Sequence, residues 1–160
     1  MKLPLFQVDA FTDQPLKGNP AAIVVLDQWL DDSLLQAIAV ENNLSETAYM
    51  RATADDRYEL RWFTPVAEVD LCGHATLAAA WVHFNRLEGA GDSVIFDTCS
   101  GPLPVTRSAS RLVLDLPSRP GKPSNSTAQL LSALRISEQD IECVIQARET
   151  MVVLRQMDTL

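Results

Sequence analysis

The stretch EVDLCGHATLAAAWVHFNRL, residues 68–87, carries the strongest helix signal in the chain. Gly73 stands where a loop turns into the helix, and residues 78–80 are alanines that permit close packing against a neighbouring element. An apolar stripe at helical spacing runs along it, formed by Leu77, Trp81, Phe84 and Leu87. Because apolar residues three and four apart share a helix face, the pattern predicts an amphipathic helix from Gly73 to about Leu87. His83, within this helix, is expected to be a surface or packing residue.

Outward from this helix, short apolar segments alternate with turn residues, which is typical of strands. Strands are predicted over residues 3–10, 21–26, 47–50, 57–62, 94–97, 103–106, 112–116 and 151–154. Residues 31–33 suit the start of a second helix, and Asn42 and Asn43 suit its end, because Asn tolerates a left-handed backbone. Shorter helices are predicted over 127–134 and from Ser137. This order of elements predicts an α+β fold.

The composition is that of an ordinary soluble globular domain. The chain has 160 residues, of which 47% are hydrophobic and 21% charged, and its net charge is −8. Because nucleic-acid binding needs clustered Lys and Arg to neutralise phosphates, this acidic balance argues against DNA or RNA as a partner. No apolar run reaches the length of a membrane span, so no membrane partner is predicted and a cytoplasmic location is expected.

The cysteines and the missing motifs argue against several kinds of site. Cys72, Cys99 and Cys143 are odd in number and widely spaced, which favours free thiols in a reducing compartment. Neither a Cys-x-x-Cys pair nor a His-x-x-x-His pair occurs, so no metal site is predicted. The sequence also has no glycine-rich nucleotide loop and no Gly-x-Ser-x-Gly elbow, which leaves nucleotide and serine-hydrolase mechanisms without support.

A polar, proline-rich segment, residues 117–126, has the composition of a linker. The strand predicted at 151–154 follows this segment and has no obvious hairpin partner. We therefore expect a first domain over residues 1–117, followed over residues 118–160 by a linker and the truncated start of a second domain.

Glu46 is the first candidate for chemistry, since it lies just past a predicted helix end and at the start of a strand. A carboxylate on a rigid element beside a cleft is a capable general acid or base when burial disfavours its charged form. An exposed loop glutamate with no chemical role fits the same local sequence.

Further candidates come from two other segments. At the start of the predicted helix, Gly73 would let a ligand approach the backbone, and the unpaired amide groups there attract a carboxylate. His74 could add a hydrogen bond or a proton, although a structural histidine fits equally well. Cys72 is either an activated thiol or a small buried residue. Asn19 belongs to a Gly-Asn-Pro loop that suits a tight turn before a buried strand.

Five segments occur in the order found in one protein family. They are Val8-Asp9-Ala10-Phe11-Thr12, Gly18-Asn19-Pro20-Ala21, Asn43-Leu44-Ser45-Glu46-Thr47-Ala48, Arg61-Trp62-Phe63-Thr64-Pro65 and Glu68-Val69-Asp70-Leu71-Cys72-Gly73-His74-Ala75-Thr76. Together they resemble the phenazine-biosynthesis (PhzF-like) isomerases, which have the diaminopimelate epimerase fold. The resemblance covers residues 1 to about 80 by motif and residues 81–120 by pattern only.

The resemblance implies two similar α+β domains, each with a mixed or antiparallel sheet wrapped around a central helix, and an active site in the cleft between them. It also implies that the reaction uses no cofactor, that the substrate is a small cyclic or carboxylate-bearing molecule, and that the full-length form is a homodimer. Glu46 maps onto the family's proton carrier. Gly73 and His74 map onto the residues that hold the polar or carboxylate end of the substrate, and Asn19 and Cys72 are expected to contribute to substrate binding.

The chain also departs from the family pattern. Family members are much longer and complete the site with an Asp and a Gly-Ser or similar motif from the second domain, and no such segment occurs here. The 160 residues alone are therefore expected to have low or no activity.

Two rival functions stay open. A thiol-dependent epimerase or racemase would use Cys72 beside Gly73, together with a second cysteine from the other domain. A non-catalytic module would keep the fold and bind a small molecule without turning it over.

Overall fold

The computed structural model describes residues 2–156 except 88 and 90. Contacts divide the chain into two compact units, Met1–Pro117 and Ser118–Leu160. None of the described helices has the length and apolar character that crossing a bilayer requires.

The first unit is built on one eight-stranded mixed sheet. Its strands are β1 (Leu5–Ala10), β2 (Asn19–Leu26), β3 (Glu46–Ala54), β4 (Arg57–Phe63), β5 (Glu68–Val69), β6 (Ser93–Thr98), β7 (Gly101–Ser108) and β8 (Arg111–Leu114). They are arranged in the order β1-β2-β3-β4-β6-β7-β8, with β5 paired to β4. The β2–β3 and β4–β6 pairs are parallel and the others are antiparallel.

Helix α1 (Asp32–Asn42) makes the connection between the parallel strands β2 and β3. Its buried residues Leu35 and Ala39 pack with Tyr49 in a small core of their own. As predicted, the helix ends in a left-handed residue, Asn43, with φ 49° and ψ 38°. That sharp end turns the chain into β3 within three residues.

Helix α2 (Gly73–Arg86) is the central element of this unit. It packs against β1, β2, β3, β6 and β8, which include both outer strands of the sheet, so the sheet curves around the helix. The predicted α+β class and the mixed sheet around a central helix are confirmed.

The buried face of α2 differs from the predicted apolar stripe. Among the stripe residues only Phe84 is buried, and Trp81 is 37% exposed. The buried positions are mostly small, and include Ala75, Ala78, Ala79 and Ala80. Small side chains let the strands approach the helix closely, so the alanines form the centre of the core and the stripe lies partly at its edge.

Residues 64–70, where no strand is predicted from the sequence, contain the short strand β5. Val69 of β5 pairs with Trp62 of β4. This pairing brings the chain alongside β4 just before α2 begins, and so fixes where the first turn of α2 lies.

The second unit has a three-stranded antiparallel sheet in the order β11-β10-β9. Its elements are β9 (Lys122–Ser124), α3 (Ala128–Leu134), a 3-10 turn (Glu138–Asp140), β10 (Ile141–Gln146) and β11 (Thr150–Leu154). The expectation of a lone strand at 151–154 is wrong, because β10 forms a hairpin with it. A bulge between Ile141 and Cys143 breaks the alternation that reveals a strand in sequence. The predicted linker likewise contains β9, and the helix expected from Ser137 is a single 3-10 turn.

Candidate active site

Glu46 is the first residue of β3, directly after the turn that ends α1. Its pairing with Ala21 of the parallel strand β2 fixes the backbone at this position. The side chain of Glu46 is 18% exposed, so the carboxyl group is largely withdrawn from water. The alternative of an exposed loop glutamate does not describe this side chain.

His74 comes to this carboxyl group from the first turn of α2. Its Nε2 lies 3.2 Å from Oε2 of Glu46, and the residue is 8% exposed. Both atoms are buried, and neither has an aligned hydrogen-bond partner among the described residues. The two atoms are therefore close enough for an ion pair. Neither is held in an aligned hydrogen bond that has a structural role.

Cys72 lies on the other side of the His74 ring. It is the N-cap residue of α2, and its Sγ is 3.4 Å from Nδ1 of His74. Burial raises the pKa of the Cys72 thiol to about 11, and the negative charge of Glu46 adds to this effect. The thiol is therefore protonated at neutral pH. Because a thiol can donate or accept, it is compatible with either tautomer of His74.

Gly73 stands between these two residues, and the fold itself has no steric need for a glycine there. A Cβ at this position would meet only Leu116 at 3.8 Å and Leu114 at 4.0 Å, which are ordinary contacts. No acidic side chain occupies the first turn of α2. The unpaired backbone N–H groups of a helix N-terminus suit an anionic group of a ligand.

Asn19 is tied to the same region through the chain segment before Glu46. Its Oδ1 accepts a hydrogen bond from Oγ of Ser45 at 3.2 Å. The preceding Gly18 is required by close packing, since a Cβ there would lie 2.2 Å from the carbonyl oxygen of Ala10. Asn19 thus holds the turn next to Glu46.

Phe11 is a neighbour of the site that was not predicted. Its ring centroid is 6.4 Å from that of His74, and the residue is 73% exposed. Its φ of 66° is left-handed, which is unusual for a bulky residue and is found preferentially at functional sites. The motif Val8–Thr12 includes this residue, but nothing in the motif signals its backbone conformation.

The first unit also has a groove that is lined in part by Phe11. It has a volume of about 790 Å³ and runs along α2 between β1 and β8. Trp81 and Leu77 are among its lining residues, and none of the five predicted site residues lines it.

Comparison with known proteins shows which family the chain belongs to. The sequence pattern described as "Phenazine biosynthesis-like protein" matches residues 8–157. The chain belongs to this family.

An uncharacterized isomerase of Pseudomonas aeruginosa is 53% identical to this phenazine biosynthesis-like chain over 141 residues, which are 88% of the chain and 54% of that protein. Phenazine biosynthesis-like domain-containing protein 1 of Mus musculus is 46% identical over 132 residues, which are 78% of the chain and 46% of that protein. The chain thus spans about half the length of the curated relatives it matches.

Solved structures of phenazine biosynthesis-like proteins share the fold. The crystal structure of a PhzF-family protein from Enterococcus faecalis has a TM-score of 0.85 and 42% identity, covering 99% of this chain and 60% of that one. A protein of Pseudomonas aeruginosa described as a predicted epimerase has a TM-score of 0.72 at 22% identity, which shows the fold alone. The predicted family and the epimerase-like fold are confirmed.

Proposed function

We propose that this chain supplies one half of a cofactor-independent isomerase, in which Glu46 moves a proton between carbons of a small cyclic or carboxylate-bearing metabolite. The observation that carries the proposal is the pair of buried atoms, Oε2 of Glu46 and Nε2 of His74, 3.2 Å apart at the start of α2. Names of relatives support the reaction class, since two proteins of Pseudomonas aeruginosa at 53% and 47% identity are called isomerases.

The chemistry follows from the properties of a partly buried carboxyl group. An isomerase that shifts hydrogen must take a proton from one carbon and return it at another, so one group has to serve first as base and then as acid. Glu46 is able to do both. His74 lies within hydrogen-bond reach and can donate to the carboxylate or accept from the carboxylic acid by exchanging tautomers. Acid–base catalysis of this kind contributes about 10²- to 10⁴-fold to a rate.

The start of α2 offers a site for the substrate's negative end. Backbone N–H groups of the first helical turn have no partners within the helix, and the helix dipole favours an anion there. The ordinary contacts that a Cβ at Gly73 would make mean that the glycine is not explained by packing. A carboxylate held against Gly73 and His74 explains it.

The raised pKa of Cys72 favours Glu46 over the thiol as the proton carrier. With a pKa of about 11, only a small fraction of Cys72 is thiolate at neutral pH, and its position near Glu46 maintains that state. A thiol-dependent epimerase needs the opposite setting. Cys72 is assigned instead to the substrate-binding group with Asn19, where it contacts the ring of His74.

Several further expectations belong to the same proposal. Four of them stay predictions. They are the division into a domain of residues 1–117 and the start of a second over 118–160, the homodimeric full-length form, the cytoplasmic location, and a reaction without metal or cofactor. Low or no activity of the 160 residues alone is expected because the matched part makes up only about half the length of the relatives.

Deuterium uptake from D₂O tests the proposal whatever the identity of the product. A full-length protein that contains this chain is incubated with a panel of small cyclic carboxylates, and incorporation of deuterium is followed by mass spectrometry. Glu46→Gln should reduce uptake by about 10³-fold or more, because an amide cannot carry the proton. Glu41→Gln, on the exposed face of α1, is the matched control and should leave uptake unchanged.

The same experiment separates the rival functions. Uptake that survives Glu46→Gln and is abolished by Cys72→Ala would make the protein a thiol-dependent epimerase. Binding of a panel member without any uptake by the parent protein would make it a binding module.

A further inference from the structure

Three side chains of different metal-binding chemistry meet at the start of α2. A carboxylate oxygen of Glu46, Sγ of Cys72 and a ring nitrogen of His74 all lie within 4.8 Å of one another. We propose that these three residues bind a divalent cation of borderline softness, best matched by Zn²⁺, and that the bound ion blocks proton transfer by Glu46. The ion is an inhibitor and not a cofactor of the proposed reaction.

Two separations at this cluster each match the separation between two ligand atoms of a tetrahedral zinc site. Zinc binds sulfur at about 2.3 Å and nitrogen or oxygen at about 2.0–2.2 Å, so neighbouring ligand atoms lie roughly 3.2–3.6 Å apart. Sγ of Cys72 is 3.4 Å from Nδ1 of His74, and Oε2 of Glu46 is 3.2 Å from Nε2. These two contacts use different ring nitrogens, and only one can bind the ion. The Glu46 side chain, which is longer and more exposed than Cys72, has the freedom to rotate and close the remaining separation.

Burial and charge also favour the ion. Cys72 and His74 are each 8% exposed, so water competes weakly for the ligand atoms. Binding of the ion releases the proton of the Cys72 thiol to solvent, and the resulting thiolate and the Glu46 carboxylate carry two negative charges that balance those of the cation. Oε2 of Glu46 and Nε2 of His74 have no aligned hydrogen-bond partners among the described residues, so an ion has unused lone pairs to occupy.

The donor set selects the class of metal. One sulfur, one nitrogen and one oxygen suit Zn²⁺ and Co²⁺, whereas Mg²⁺ and Ca²⁺ require oxygen ligands in greater number. Three protein ligands leave the fourth tetrahedral position for water or for a carboxylate of the substrate. An ion held there occupies the lone pair with which Glu46 would accept a proton. The inhibition therefore rests on the proposed function, whereas binding of the ion does not.

Cobalt provides the direct test of binding, using the 160-residue chain in reduced form. Co²⁺ bound by a thiolate gives a charge-transfer band in the near ultraviolet, and Zn²⁺ should displace it at one ion per chain. Cys72→Ala should abolish the band, and His74→Ala and Glu46→Gln should each weaken Zn²⁺ binding by roughly tenfold or more in competition with a chromogenic chelator. Mg²⁺ should not displace the cobalt.

Matched variants identify the ligands. Cys99→Ala and Cys143→Ala remove the other two thiols and should leave the band intact, and His83→Ala tests the other histidine in the same way. A band that persists in Cys72→Ala, or is lost in Cys99→Ala or Cys143→Ala, overturns the assignment, as does the lack of Zn²⁺ binding at micromolar concentration. Circular dichroism checks that each variant is folded. If Cys72→Ala does not fold, His74→Ala tests the assignment of the ligands independently.

Inhibition is measured separately on the full-length protein by deuterium uptake. Zn²⁺ should suppress uptake, and a chelator should restore it. Zinc binding without suppression of uptake would contradict the inhibitory role but not the metal site. A lack of zinc binding would not affect the isomerase proposal, because the Glu46→Gln experiment tests that proposal.

Discussion

The two histidines of α2 provide an internal comparison. His74 lies in the first turn of the helix and His83 near its end, and both are buried, at 8% and 2% exposure. Each also faces a carboxylate, with Nε2 of His74 3.2 Å from Glu46 and Nε2 of His83 3.0 Å from Asp56. By burial and by the nearest charge, the two histidines are alike.

Their other neighbours differ. Nδ1 of His83 contacts the hydroxyl of Tyr58 at 3.0 Å, and the ring packs edge-on against Phe84 with centroids 4.8 Å apart. A Cβ at Gly89 would lie 2.2 Å from the His83 ring, whereas a Cβ at Gly73, beside His74, would make only ordinary contacts. The comparison teaches that a buried histidine–carboxylate pair does not by itself indicate catalysis. The tight packing of Tyr58, Phe84 and Gly89 around the ring of His83 distinguishes it from His74.

Of the two histidines, His74 should have the larger effect on activity when it is replaced. In a full-length protein, His74→Asn is expected to lower deuterium uptake by about 10²-fold or more, because Glu46 loses the partner that stabilises both of its protonation states. His83→Asn serves as the control, with uptake per folded molecule close to that of the parent. If the two variants lose uptake equally, the distinction between the histidines is wrong.

Replacement of His83 should have the largest effect on stability. His83→Ala is expected to cost about 2–4 kcal/mol of the free energy of unfolding, because it leaves a cavity against Tyr58 and Phe84 and removes the ring nitrogen that lies 3.0 Å from Asp56. Urea unfolding of the 160-residue chain measures this. His74→Ala, at the open end of the helix, should cost less than half as much, and the reverse ranking would contradict the comparison.

The two glycines test the space beside each histidine. Gly89→Ala is expected to destabilise the chain by about 1–3 kcal/mol, since the added methyl group meets the buried His83 ring. Gly73→Ala should change the free energy of unfolding by less than about 0.5 kcal/mol. In a full-length protein, however, Gly73→Ala should weaken substrate binding. An intact affinity in that variant would mean that no ligand approaches the backbone there.

The smallest expected effect is a dependence of stability on pH that arises from His83. Burial lowers the pKa of His83 below its ordinary value of 6.5, the positive charge of Arg107 acts in the same direction, and Asp56 partly opposes the shift. The unfolded chain therefore binds the proton first as the pH falls. The contribution of neutral His83 to stability is complete above about pH 6.5 and is lost below it, with a slope of at most about 1.4 kcal/mol per pH unit.

Urea unfolding at several pH values measures this slope. His83→Gln should reduce the decline in stability between about pH 7 and pH 5 relative to the parent chain. The neighbouring Tyr58 does not titrate in this range, because burial and Asp56 raise its pKa. An unchanged slope in His83→Gln would assign the decline to other groups.

Much of the first unit could be predicted from sequence, because its elements have regular local patterns. The alternation of Tyr58, Leu60 and Trp62 indicated β4, and the asparagines after α1 indicated its left-handed end. The candidate residues came from short motifs. That Glu46 and His74 approach each other to 3.2 Å depends on the pairing of β3 in the sheet and on the start of α2, which no local pattern specifies.

The wrong predictions have physical causes of the same kind. The apolar stripe of α2 suggested its buried face, but alanine permits closer contact than tryptophan, and the strands surround the small residues. His83 was expected to be a surface or packing residue and does pack, but its contact with Asp56 joins positions far apart in sequence, which no local pattern specifies. The strand β10 was missed because its bulge interrupts the alternation on which prediction relies.

The left-handed end of α1 has a consequence for genetic variation. Asn43, with φ 49°, occupies a backbone conformation that costs most residues roughly 1–2 kcal/mol, and that Gly, Asn and Asp adopt most readily. A mutational scan should therefore find that position 43 favours Gly, Asn and Asp over other residues, although Asn43 is exposed. Asn43 sets the direction in which the chain enters β3, and with it the position of the Glu46 carboxyl group. A search for conserved residues would therefore count Asn43 among the residues of the reaction.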